Sequence, residues 1–190
     1  MRLVLLGPPG AGKGTQAKRL AEWLGVPAIS TGDIFRANIA GDTALGRLAR
    51  SYTDAGKLVP DEVTNEMVKD RLAQADTGDG FLLDGYPRNV AQVEALDAML
   101  QESGLALDVV VEITADTEEV VERLLNRAKI EGRPDDTEDV IRHRLEVYTE
   151  QTAPLTQVYG GRGVLVQVDG VGEIDEITGR LTRALGPHRG

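Results

Sequence analysis

The sequence predicts an α/β fold, a five-stranded parallel sheet flanked by helices, and three observations predict it. Five short apolar runs alternate with helical patterns: Arg2 to Leu6, Ala28 to Ile29, Phe81 to Leu83, Val109 to Ile113 and Val164 to Val168. Each run is apolar at nearly every position, as strands covered on both faces are. Strand alternating with helix is the pattern of parallel strands joined by crossovers, which are right-handed.

Taken in order, the first run ends in Gly7-Pro8-Pro9-Gly10, a sequence that stops a strand and opens a loop. From Lys13 onward Ala17, Leu20, Ala21 and Leu24 recur at three- and four-residue spacing, so a helix follows. Gly25 is placed to end it, and Pro27 blocks its continuation. Residues 31 to 73 hold about three helical patterns, too much for one crossover helix. Residues 128 to 136 form a polar link containing glycine and proline between two helices. Both stretches read as mobile insertions on the core. The chain has no internal repeat and no low-complexity segment.

Composition narrows the function classes. With 190 residues, 41% hydrophobic and 27% charged, the chain suits a single globular domain. There are no cysteines and two histidines, which rules out disulfides and thiolate metal sites, and no zinc is expected. The 21 basic and 31 acidic residues give a net charge of −10, so nucleic acid and anionic membrane are not expected partners. No apolar run approaches the ~20 residues of a membrane span. The N-terminus lacks the pattern of a signal peptide, and a soluble cytoplasmic protein is the reading that fits.

Gly7-Pro-Pro-Gly-Ala-Gly12-Lys13-Gly14-Thr15 lies between a strand and a helix, the context that makes a phosphate loop. Glycines let successive backbone N–H groups turn inward around phosphate oxygens, and the helix N-terminus adds its positive end. Lys13 then reaches the outer phosphates. The strict motif has Ser or Thr directly after the lysine. Here Gly14 intervenes before Thr15, which argues against a hydroxyl from this loop on a magnesium ion. The bland alternative is a glycine-rich turn that only links strand to helix.

The run Phe81-Leu-Leu-Asp84 is an apolar strand ending in a carboxylate, the arrangement of a magnesium-supporting aspartate beside a phosphate loop. Strand C-termini gather at one edge of a parallel sheet, so Asp84 is expected near Lys13. Without the loop, such an aspartate would read as a helix cap or turn residue.

The combined motifs are specific. They are Gly7 to Gln16, Ser30-Thr-Gly-Asp33 with Arg36, Gly56-Lys-Leu-Val-Pro-Asp61 and Asp84-Gly-Tyr-Pro-Arg88. Arg123, Arg127, Gly132-Arg133-Pro-Asp-Asp136, Arg144 and Thr152-Ala-Pro-Leu155 follow. Over nearly its whole length the chain resembles the short-lid adenylate kinases, members of the nucleoside monophosphate kinase family. The resemblance implies one P-loop kinase domain over residues 1–190 with an AMP-binding insertion at 30–59, its helical region extending to about 73. It also implies a short lid at 128–136. The reaction implied is reversible transfer of the terminal phosphoryl group of ATP to AMP, giving two ADP, by a monomer that uses Mg²⁺.

Site residues follow from the same resemblance. Arg36 and Arg88 would hold the AMP phosphate, each through two N–H groups, which a lysine cannot supply. The Thr31 hydroxyl and the Gln92 amide would read its adenine, with Gly32, Lys57, Leu58, Val59 and Gly85 lining the pocket. The related UMP/CMP kinases usually carry alanine where Thr31 stands, so Thr31 with Gln92 favours AMP. On the ATP side are Gly10, Ala11, Gly12, Lys13, Gly14 and Thr15, with Arg123 and Arg127 four apart on one helix face. Arg133 and Arg144 would bind the transferring group, positioned by Asp135 and Asp136, and Asp84 would hold Mg²⁺ through water. Lys13, Arg88, Arg123, Arg133 and Arg144 are thus the expected catalytic set.

The chain departs from the family pattern at three places. The lid is short, Tyr86 replaces a more common Phe, and many relatives carry lysine where Gly172 stands. At Gly170-Val171-Gly172 the ATP base is therefore left with backbone contacts alone. Competing readings are a UMP/CMP or small-metabolite kinase, a GTPase-like switch, and a scaffold with a relic pocket. The switch predicts an Asn-Lys-x-Asp motif, which the chain lacks. The scaffold leaves the arginines unexplained.

Overall fold

A computed structural model describes residues 1–131 and 137–188. Five strands, β1 (Arg2–Leu6), β2 (Ala28–Ser30), β3 (Phe81–Asp84), β4 (Val109–Thr114) and β5 (Leu165–Asp169), form one sheet in the order β2-β3-β1-β4-β5. Every neighbouring pair is parallel. The fifth strand begins one residue later than its apolar run, at Leu165, and takes in Asp169.

Around the sheet lie α1 (Lys13–Leu24), α5 (Val90–Glu102), α6 (Thr117–Glu131), α7 (Glu138–Val147), α8 (Leu155–Gly161) and α9 (Ile174–Leu185). The helical region between β2 and β3 resolves into α2 (Thr31–Ala40), α3 (Ala44–Thr53) and α4 (Asp61–Leu72). A small apolar cluster of its own, Phe35, Ala49 and Val59, joins α2, α3 and the link before α4.

Period-two alternation in β1 splits the core. Leu3 and Leu5 pack with Ala17 and Leu20 of α1 and Leu181 of α9, whereas Val4 and Leu6 pack with Val93 and Leu96 of α5 and Leu155 of α8. Burying each such leucine contributes about 1.5–3 kcal/mol, so the central strand is fixed from both faces. Register then sets the active edge: Ser30 and Leu5 both pair with Asp84, and Leu6 pairs with Glu112. Loops leaving the strand C-termini must therefore converge beside Asp84.

Candidate active site

The phosphate loop is where the chain turns from β1 into α1. Gly10 and Gly12 sit at φ 86° and 85°, in the left-handed region, and a Cβ on Gly10 would lie 2.9 Å from Leu124 Cγ. The first helical bond runs from Gln16 N–H to the Gly12 carbonyl at 3.0 Å. The N–H groups of Lys13, Gly14 and Thr15 therefore have no acceptor within the helix. Together with the helix dipole they make an anion seat. Ala11 differs from the expected pattern, because its side chain is buried in the core and its N–H donates to Pro8 O at 3.1 Å.

Lys13 folds over the loop and donates to Gly7 O at 2.8 Å and Pro8 O at 3.0 Å. Burial pushes its pKa down to about 8; Asp84 pulls it back up, and Arg88 and Arg127 push it further down. Asp84 is only 8% exposed, at the end of β3. A Cβ on Gly14 would lie 3.7 Å from its Oδ2, so the carboxylate faces the start of α1.

After Asp84 the chain passes through Gly85 and the cis Tyr86-Pro87 bond to Arg88. Arg88 is held on three sides. Its Nε donates to Gly85 O at 2.7 Å, its backbone N–H to Gln92 Oε1 at 2.7 Å, and its carbonyl accepts from Thr152 Oγ1 at 2.6 Å. Thr152 closes the π-helical turn Tyr148–Thr152 after α7, so the turn that directly follows the helix carrying Arg144 pins Arg88. Burial lowers the Arg88 pKa, Asp84 opposes that, and Arg144 and Arg36 reinforce it. Three guanidinium groups gathered around one partly buried position are an arrangement that an anion stabilises.

The neighbouring pocket is lined by side chains that hold one another. Ser30 caps α2, accepting from Asp33 N–H at 3.3 Å. Thr31 then donates to Gly85 O at 2.9 Å, and Arg36 pairs with Asp33 at 2.5 Å. Gln92, 2% exposed, donates from Nε2 to Asp61 Oδ1 at 2.7 Å. Asn89 caps α5 by accepting from Gln92 N–H at 2.8 Å, and its Nδ2 donates to both Asp61 oxygens at 2.9 and 3.2 Å. Tyr86 is fully buried, and its hydroxyl donates to Asn65 Oδ1 at 2.7 Å. Burial, with Asp61 second, pushes that phenol's pKa up.

Both halves open into one cavity of about 940 Å³. It is lined by Thr31, Gly32, Arg36, Lys57, Leu58, Val59, Gly85, Arg88, Gln92 and Arg144, and by Gly10, Gly12, Lys13, Gly14, Thr15, Asp84, Arg123 and Arg127. Among the described residues nine Lys or Arg and three Asp face it, in a chain of net charge −10. The volume lies at the upper end for a single small ligand, which leaves room for more than one anionic group.

Gly170, Val171 and Gly172 stand beside the cavity, outside its lining. Gly170 donates to Thr114 O at 2.8 Å, Val171 N–H to Asp169 Oδ1 at 3.0 Å, and Arg180 donates to Val171 O at 2.5 Å. Arg123, paired with Glu119 at 2.6 Å, donates to Gly170 O at 3.2 and 3.3 Å. Gly172 lies at φ 119°, and a Cβ there would come within 2.7 Å of Glu176 Oε2, which accounts for glycine at this position. Of the link expected at 128–136, Ala128 to Glu131 instead continue α6, whose helical period runs on through them, and Gly132, Arg133, Asp135 and Asp136 lie outside the described residues.

Asp61, Asn89 and Thr152 are among the structural partners to which the motifs assigned no role. Asp61 and Thr152 lie inside quoted motifs, yet each reads locally as a helix-terminal residue. No group of three His, Cys, Asp or Glu able to hold a metal occurs among the described residues. Asp84 beside the anion seat fits an ion held mainly by phosphates and water.

A family model described as adenylate kinase matches residues 5–164. The chain is 66% identical over 184 residues to a protein named adenylate kinase from Kocuria rhizophila, covering 97% of this chain and 98% of that one. Proteins of the same name from a Nocardioides species and from Thermobifida fusca are each 60% identical over 185 residues. They cover 97% of this chain and 97% and 98% of their own lengths.

Proposed function

The chain belongs to the adenylate kinase family, phosphotransferases that move the terminal phosphoryl group of ATP onto AMP to give two ADP, and we propose which of its residues do this and how. The observation that carries the reading is the convergence of Lys13, Asp84 and Arg88 at one sheet edge, with Arg36 and Arg144 acting on Arg88.

Phosphoryl transfer asks for in-line positioning and neutralised charge more than covalent chemistry. ATP phosphates occupy the N–H seat of Gly12 to Thr15, and Lys13 exchanges its bonds to Gly7 and Pro8 for phosphate oxygens. Arg36 and Arg88 grip the AMP phosphate bidentately, with its oxygen aimed at the γ-phosphorus. Arg123, Arg127 and Arg144 neutralise the transferring group, and Arg133 joins them on the strength of the resemblance. Mg²⁺ bound with ATP would spread the phosphate charge, and Asp84 would hold one of its waters. No side chain need act as nucleophile or strong base.

Thr31 and Gln92 read the adenine of AMP, while Gly32, Lys57, Leu58, Val59 and Gly85 line that pocket. Gly170, Val171 and Gly172 offer the ATP base main chain only. Residues 30–59, with the helical region to about 73, and 128–136 are the segments that close over the pair and exclude water as acceptor. Adenylate kinases are themselves the standard example of such lid gating, so this closure is carried over from the family. We place the enzyme in the cytoplasm as a monomer on the strength of the family resemblance, and without nucleic-acid or membrane partners, which the acidic net charge supports. No helix among the described residues is long and apolar enough to cross a membrane.

The test is a coupled assay of ADP formation from Mg-ATP with AMP, CMP, UMP, GMP or no acceptor. AMP alone is expected to support rapid turnover. Preference for CMP or UMP would overturn the roles of Thr31 and Gln92, and ADP formation without acceptor would overturn the closure.

A further inference from the structure

We propose that Asp61 fixes the hydrogen-bonding polarity of Gln92 and thereby sets the enzyme's choice of a 6-amino over a 6-oxo purine monophosphate; this rests on the reading of Gln92 as base reader. The two ends of a glutamine amide are nearly equal in size, so only its neighbours decide which end faces where. Both neighbours of Gln92 demand the same orientation. The Arg88 backbone N–H can only donate, and it meets Oε1 at 2.7 Å. The Asp61 carboxylate can only accept, and it meets Nε2 at 2.7 Å.

Asp61 is itself held. Asn89 donates to both of its oxygens, and Asn89 in turn accepts from the Gln92 backbone N–H at 2.8 Å. The ring Asp61–Asn89–Gln92 closes on itself, and Gln92 is only 2% exposed, so water cannot reverse the amide cheaply.

Once those bonds are made, the amide retains one N–H and one carbonyl lone pair in a fixed order. An adenine edge offers N1 as acceptor and the 6-amino group as donor, which match that order. A hypoxanthine edge offers N1–H as donor and O6 as acceptor, which oppose it at both positions. Thr31 works in the same sense, since its proton is committed to Gly85 O and it can only accept. A site that leaves buried polar groups unpaired rejects the wrong ligand strongly.

A purely structural role for Asp61 is the competing account. It opens α4, where an acidic side chain favours the helix N-terminus. That role predicts lower stability with the same effect on every acceptor.

The experiment is Asp61→Asn, assayed with AMP and with IMP, alongside Gln92→Leu. An asparagine presents either donor or acceptor to Gln92, so the lock is relieved with little change in size. The expected result is a fall in kcat/KM for AMP of about tenfold and a rise in the IMP/AMP ratio of about tenfold. The ratio is taken within one sample, so it does not depend on the folded fraction; Asp61→Ser is read in the same way as a second variant. Equal losses for AMP and IMP, or no change, would overturn the proposal. If Gln92→Leu alters the IMP/AMP ratio and the Asp61 variants do not, only the role of Asp61 falls. If Gln92→Leu leaves the ratio unaltered, the base-reading role falls and the proposal with it.

Discussion

The two ends of the cleft are built by different means. At the proposed AMP end, side chains hold side chains: Thr31, Gln92 and Arg88 are each fixed by a partner 31 to 64 residues away in the chain. At the proposed ATP-base end, Gly170 to Gly172 form a main-chain turn whose N–H groups at Gly170 and Val171 are already bonded. A preset side-chain amide discriminates by donor and acceptor order. A main-chain turn discriminates mainly by position. The acceptor end is therefore expected to be the selective one, and the donor base the more interchangeable.

The largest effect should come from disturbing the preset end conservatively. Arg88→Lys keeps the charge but loses the planar fork and the Nε bond to Gly85 O. A loss of kcat of about 10³-fold is expected, the scale of a misplaced arginine in phosphoryl transfer. Steady-state kinetics over AMP and ATP concentration would show it. Activity retained to within about tenfold would mean that charge alone suffices there, and the contrast between the two ends would lose its basis.

The phosphate seat between the ends gives a pH signature. Lys13 sits at about 8 in the ligand-free protein because burial disfavours its charge, and phosphate beside it restores the charge. Above pH 8, ATP binding must take up a proton, and affinity should fall toward tenfold per pH unit. Calorimetry at about pH 8.5 in two buffers of different ionisation heat would measure the uptake, and Lys13→Met should abolish it. The sign for folding follows from the lowered pKa. Between about 8 and the ordinary lysine value of 10.5 the unfolded chain holds the proton and the fold does not, so this group's contribution to stability rises with pH across that window. No uptake in the parent protein would mean that Lys13 is already charged in the empty site.

How much of this was legible in the sequence follows the same division. The strand, loop and helix around Lys13 are local. A short apolar run, a glycine-rich turn and a 3.6-residue period specify them, and the structure returns them with Lys13–Leu24 as the helix. The five strands and their parallel pairing were legible too, with the last displaced by one residue. The two helix-start residues of the base-reading ring look ordinary, because what Asp61 and Asn89 do arises between segments 28 residues apart. Locally, Pro60-Asp61 is a helix start and Asn89 is a cap. Thr152 is the same case over 64 residues. Gly172 was legible only as a departure from relatives, and its backbone conformation supplies the reason.

That position offers the smallest effect and the closest comparison of the two ends. Gly172→Lys restores the residue many relatives carry, at a φ of 119° that side chains rarely adopt. The added Cβ would meet Glu176 Oε2 at 2.7 Å, and Glu176 accepts from Glu173 N–H in the capping box that opens α9. Strain and a weakened cap together cost about 2 kcal/mol, which in a chain of this size lowers Tm by about 4–8 °C. Because Arg123 and Arg180 already occupy the carbonyls of Gly170 and Val171, the KM for ATP should change by less than about threefold. Thermal melting and ATP kinetics on the same preparation would decide it. A gain in ATP affinity of about tenfold without loss of Tm would show that this end, too, is read by a side chain once one is supplied, and that the asymmetry of the cleft rests on a single glycine.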